Sequence, residues 1–99
     1  MTSARNGGYG AATTGADFAT GIILHEVYHF SATDVAARAA NQALFNYQAN
    51  ELGLIGTARA NYAKNSRNTE RANEINAVNA GKRLGILPSN YPYRGYAVH

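Results

Sequence analysis

Two histidines four residues apart, with a glutamate directly after the first, lie in the stretch IILHEVYHFS at residues 22–31. Residues i and i+4 of a helix lie on one face, so His25 and His29 can present imidazole nitrogens to one metal ion. Glu26 projects beside such an ion, where its carboxylate can accept a proton from water. This H-E-x-x-H pattern predicts a zinc site with Glu26 as the general base.

The alternative interpretation is a chance match, because the pattern fixes only three positions. One histidine would then pack in the core and the other would be solvated, with no metal between them. Two features favour the metal. His25 and His29 are the only internal histidines, and most of the residues around them are apolar. A buried cluster of these side chains without a cation would be costly.

Because the chain has no cysteine, any metal must be held by His, Asp, Glu or Tyr side chains. Glu74 is the preferred candidate, because its apolar neighbour Ile75 suggests a helix face that turns toward the core. Asp34, five residues after His29, is the second candidate. Glu70 already has a sufficient role at a helix N-terminus. In the alternative, Glu70 and Glu74 are both solvated and pair with nearby basic side chains.

Composition limits the fold and the chemistry. The chain has 99 residues, enough for one domain, and much of its 45% hydrophobic fraction is alanine and tyrosine, which predicts a shallow core. The absence of cysteine excludes disulfides, thiolate zinc sites and a cysteine nucleophile. No apolar run approaches the length of a bilayer-spanning helix, and the first 15 residues lack the apolar stretch expected of a signal peptide. We therefore expect no membrane insertion.

The pattern of apolar residues predicts a mainly α fold, a small bundle of three to four helices. Residues 1–15 form a flexible lead-in with room for one short strand around 9–14, and residues 16–99 form a single helical domain. The first helix covers residues 18–30, although Gly21 could delay its start. The second runs from a cap at Thr33 or Asp34 to Gly53.

A third helical region covers residues 55–84 and is expected to break near KNSRNT, with Thr69 as a new cap. Gly85 ends this region, and Pro88 follows shortly after. The remaining tail, ILPSNYPYRGYAVH, has two prolines and three tyrosines. It should be extended and packed on the surface.

Basic residues provide a different functional hypothesis. The net charge is +3, and four of the nine basic residues fall within one short stretch of the sequence: Arg59, Lys64, Arg67 and Arg71. Such a cluster, with Tyr62 available to stack, is compatible with a non-catalytic module that binds nucleic acid or an acidic protein. A solvated helix face is the commoner explanation of the same cluster.

Three segments together resemble a known family: LHEVYH, the helix NEINAVNAGKRLGI and the tail LPSNYPYRGY. They are similar to zincin-type metallopeptidase domains at the C-termini of Rhs-type and other polymorphic bacterial toxins. The resemblance covers roughly residues 20–96. It is specific at His25, Glu26 and His29. It extends more weakly to Glu74, Asn79, Arg83, Gly85, Pro88 and Tyr96.

The resemblance implies a zinc-dependent peptidase (Zn²⁺ as cofactor) that acts on protein substrates. It implies a domain secreted as part of a larger carrier protein, active in a target-cell cytoplasm and neutralised by an immunity protein. His25 and His29 become ligands and Glu26 the base, while Tyr91, Tyr93, Arg94 or Tyr96 from the tail could stabilise the oxyanion. One departure from the family is that only one strand fits before the motif helix.

Overall fold

Three α-helices and one π-helical turn form the fold in the computed structural model, which describes residues 14–95. Helix α1 spans Gly15–Tyr28, α2 spans Ala32–Asn46 and α3 spans Ile55–Leu84, while the π-helical turn Tyr47–Glu51 continues from α2. No strand occurs within residues 14–95. The prediction of a mainly α bundle is confirmed. Residues 1–13, which hold most of the predicted lead-in and its strand, lie outside the described residues.

Helix α1 begins earlier than predicted, because Thr14 caps it. The Thr14 hydroxyl accepts a hydrogen bond from the Asp17 backbone N–H at 3.0 Å, and the Asp17 carboxylate lies in the first turn, where the helix dipole favours it. Gly21 lies inside this helix rather than at its start. A Cβ at this position would overlap the hydroxyl of Tyr91, so the glycine lets the C-terminal tail pack directly on α1.

Helix α2 begins after Ser31, whose hydroxyl accepts from the Asp34 backbone N–H at 3.2 Å. The predicted caps, Thr33 and Asp34, are thus inside the first turn. The predicted end at Gly53 is also too late for an α-helix. The Leu52 N–H bonds the carbonyl of Tyr47, five residues back, at 3.1 Å, so the α-helix gives way to a π-helical turn.

Helix α3 is continuous for 30 residues, a length of about 45 Å. The predicted break near KNSRNT is therefore wrong, and Thr69 is not a cap. Its hydroxyl donates to the carbonyl of Asn65, one turn earlier, at 2.8 Å. The predicted stop at Gly85 is confirmed, since this residue has a φ of 75°. No helix within residues 14–95 is long and apolar enough to cross a membrane.

The apolar core is small and lies where the tail packs against α1 and α3. It consists of Val78, Leu87 and Tyr91, with Phe18 and Leu24 packed against it. Two of these three central residues come from the tail, which was predicted to lie on the surface. The tail therefore contributes two side chains to the core.

Polar side chains occupy much of the remaining interior. The buried polar and charged residues are His25, Asp34, Asn41, Asn73 and Glu74. Helices α1 and α2 both pack against α3, and all five of these residues lie on the three helices. A fold with so small an apolar core has few other sources of stability. The burial of these five polar or charged side chains is therefore the feature that the small apolar core does not account for.

Candidate metal centre

Helix α1 places the two histidines side by side, as the four-residue spacing predicts. The Nε2 atoms of His25 and His29 lie 3.2 Å apart, and the two rings meet edge to face with centroids 4.8 Å apart. His25 is 2% exposed and His29 is 21% exposed. One histidine is therefore enclosed, and the other reaches the surface of the site.

Helix α3 adds the carboxylate of Glu70 to this pair. Its Oε2 lies 3.1 Å from Nε2 of His25, and its Oε1 lies 3.0 Å from Nε2 of His29. Within the described residues, these three side chains form the one group whose donor atoms could hold a metal ion. The Glu70 side chain is 38% exposed, so this edge of the group is open to solvent.

The spacing of these donors is compatible with a shared metal ion. The two Nε2 atoms lie 3.2 Å apart, and each of them faces a different oxygen of Glu70, at 3.1 and 3.0 Å. One donor atom from each of the three residues lies within 4.8 Å of the other two. His25, His29 and Glu70 could thus hold a metal ion through two imidazole nitrogens and one carboxylate.

The opposite nitrogen of each imidazole contacts a second carboxylate. Nδ1 of His25 lies 2.9 Å from Oε1 of Glu74, and Nδ1 of His29 lies 3.0 Å from Oδ2 of Asp34. In the tautomer that carries its hydrogen at Nδ1, each ring donates to this carboxylate and presents the Nε2 lone pair to a metal. Nε2 of each ring also lies within 3.1 Å of Glu70, so this tautomer is the one that metal binding would select. Ligating histidines in metalloproteins are held in the same way.

Each supporting carboxylate is in turn held in place. Oδ2 of Asp34 accepts from Nε of Arg38 at 2.8 Å, and the same guanidinium donates to the backbone carbonyl of His29 at 2.7 Å. Oε2 of Glu74 accepts from the backbone N–H of Arg94 at 2.9 Å. Helix α2 therefore supports one histidine and the tail supports the other. The donor set is positioned by all the major elements of the fold.

The carboxylate that lies beside the two Nε2 atoms is neither of the two predicted third ligands. Glu74 and Asp34 both lie at the Nδ1 side of a histidine, whereas Glu70 is the carboxylate grouped with the two Nε2 atoms. The reason is the continuity of α3. Glu70 is not at a helix N-terminus, as the predicted break implied, but in mid-helix. The four-residue spacing of Glu70 and Glu74 was the available signal, because it puts both carboxylates on the face toward α1.

The other predicted site residues are not among the three donors. Glu26 is exposed, and its side chain makes no hydrogen bond or ion pair with residues 14–95. The Tyr93 hydroxyl donates to the side chain of Asn79, and the backbone N–H of Arg94 donates to Glu74, the carboxylate that supports His25. Tyr91 is buried in the core. Tyr96 lies outside the described residues.

The basic side chains of α3 are mainly on its outer surface. Arg59, Lys64 and Arg71 are exposed, and Arg67 is half-buried. The ring of Tyr62 is packed edge to face against Phe45 at 5.6 Å rather than standing free to stack on a base. The nucleic-acid alternative stays a prediction.

Comparisons with family models, curated proteins and solved structures found no match.

Proposed function

We propose that this chain is a zinc-dependent metallopeptidase domain. One observation carries the proposal: two histidine Nε2 atoms and a glutamate carboxylate converge within 3.2 Å of one another, with each Nδ1 held by a buried carboxylate. Two histidines and one glutamate are a ligand set of catalytic zinc sites, which leave one coordination position for water or substrate. Structural zinc sites usually fill all four positions with protein ligands.

A zinc ion held there would polarise the carbonyl of a peptide bond and make a nearby water more acidic. The protein supplies the remaining functions. Asp34 and Glu74 keep the imidazoles oriented, and the exposed edge at Glu70 admits a substrate. Glu26 follows His25 on the same helix and has no competing partner within residues 14–95, so its carboxylate is free to accept a proton.

The proposal extends to the biological role that the sequence resemblance implies. In that role the domain is an effector carried by a larger secreted protein, with a proteinaceous target and an immunity protein as partners. Expression in a bacterial cytoplasm, with and without the Glu26→Gln change, tests this role. Growth arrest that depends on Glu26 supports it, and equal growth of both strains counts against it.

The enzymatic role is tested by Glu26→Gln in the purified chain. The amide cannot accept a proton, so we expect peptide cleavage to fall by about 10²–10⁴-fold. Zinc content should stay unchanged, because Glu26 is not among the three donors. Glu51→Gln is the matched control, since Glu51 is also exposed but lies on the π-helical turn. Full activity of the Glu26 variant would rule out this residue as the base.

A further inference from the structure

A cleft of about 550 Å³ lies between α2 and α3 and ends at the candidate metal centre. Its walls include the apolar residues Val35, Ala39 and Tyr62. Glu70 also lines the cleft, and it belongs to the candidate metal centre as well. On α3 the lining runs from Tyr62 to Glu70, about 12 Å along the helix at 1.5 Å per residue. The open edge of the donor set therefore continues into a groove.

The length of this cleft suits a short stretch of extended peptide. An extended chain advances about 3.3 Å per residue, so about three or four residues span the distance from Tyr62 to Glu70. Polar side chains accompany the apolar ones along the walls. They are Gln42, Ser66 and Thr69. Such walls can contact both the side chains and the backbone amides of a bound peptide.

The charge of the cleft selects among peptides. Arg38 and Glu70 are the two charged residues that line it, and Glu70 is assigned to the metal. The Arg38 side chain is 55% exposed. Two of its nitrogens bind Asp34 and the His29 carbonyl, and its third has no partner within residues 14–95. Asp34 is buried and does not line the cleft, so a positive group faces the bound chain.

The geometry points to this α2–α3 cleft as the substrate-binding groove, with Arg38 selecting peptides that carry an acidic residue within about three positions of the bond cleaved. The inference rests on the proposed peptidase function and adds its substrate class. The net charge of +3 acts in the same direction, because it attracts acidic chains.

The position of the groove is tested by filling it. Ala39→Trp puts an indole into the cleft, and Ala36→Trp is the matched control, since Ala36 is exposed on α2 and does not line the cleft. Both zinc-loaded chains are assayed with a library of internally quenched peptides that vary around a central bond. We expect kcat/KM to fall at least about tenfold for Ala39→Trp alone. Zinc affinity and helical content should match the wild type in both.

The charge of the groove is tested by Gln42→Glu, which adds a carboxylate to the wall one helical turn from Arg38 and so offsets its positive charge. The preference for acidic over basic peptides should fall about fivefold, the effect of a solvent-exposed charge pair. Asn50→Asp, which adds the same charge at an exposed residue of the π-helical turn, should leave the preference unchanged.

These outcomes separate the two proposals. Cleavage of library peptides by the wild type, with no loss in Ala39→Trp or no preference for acidic residues, overturns the groove and leaves the peptidase function standing. Failure of the zinc-loaded wild type to cleave any library peptide overturns the peptidase function, and the groove with it.

Discussion

Replacing Glu74 and Glu70 one at a time distinguishes a metal ligand from the carboxylate that supports one. Glu74 is 1% exposed and accepts two hydrogen bonds, from His25 Nδ1 at 2.9 Å and from the Arg94 backbone N–H at 2.9 Å. Glu74→Ala removes the acceptor of both hydrogen bonds in a buried setting. Glu74→Gln keeps one acceptor oxygen for His25 but turns an amide NH₂ toward the Arg94 N–H.

The expected losses follow from these contacts. Removal of a group that orients a ligating histidine costs about 10–100-fold in metal affinity, or about 1.4–2.7 kcal/mol. We expect Glu74→Gln to lose about 10-fold in metal affinity, since it retains one hydrogen bond, and Glu74→Ala to lose about 100-fold. Glu70→Ala should cost more than either, because it removes a donor that lies 3.0 and 3.1 Å from the two Nε2 atoms.

Competition with a chromophoric zinc chelator measures all three affinities on one scale, with Glu51→Gln as the control at an exposed carboxylate. The expected order of affinity is wild type, Glu74→Gln, Glu74→Ala and then Glu70→Ala. If Glu70→Ala binds zinc as well as the wild type while Glu74→Ala does not, Glu74 is the ligand and our assignment of the two carboxylates is reversed.

Two further predictions concern stability. With free zinc about 1,000-fold above its Kd, the folded state gains about 4 kcal/mol, which raises Tm by about 16 °C or more in a chain of this size. Calorimetry with and without a chelator should show this shift in the wild type. The shift should be absent in the His25→Ala, His29→Ala variant. Gly21→Ala should lower the free energy of unfolding by about 1–3 kcal/mol, because the new methyl group overlaps the Tyr91 hydroxyl. Gly56→Ala, which places its methyl group in open space, should raise the free energy of unfolding by about 0.5–1 kcal/mol. Equal urea midpoints for the two variants would contradict the packing of the tail on α1.

Local patterns in the sequence were sufficient for the helix class and for the histidine pair. The four-residue spacing of His25 and His29 requires only one turn of helix, and a glycine at residue 85 with basic residues before it specifies the end of α3 without help from distant contacts. Such features depend on neighbours within one or two turns, and these are visible in the sequence.

Features that depend on packing between elements were predicted less well. Asn65, Ser66 and Thr69 have weak helix propensity, but the contacts of α3 with α1 and α2 keep the helix continuous through them. This continuity decides which carboxylate reaches the Nε2 atoms. The burial of the tail was also not predicted, because it depends on Gly21, about 70 residues earlier in the chain.

The most direct test of the metal centre is the zinc content of the purified chain after dialysis, measured beside the His25→Ala, His29→Ala variant. The account predicts about one zinc per wild-type chain and none in the variant, because the variant loses two of the three donors. Stoichiometric zinc in the variant, or none in a wild type that has been supplied with zinc, would contradict it.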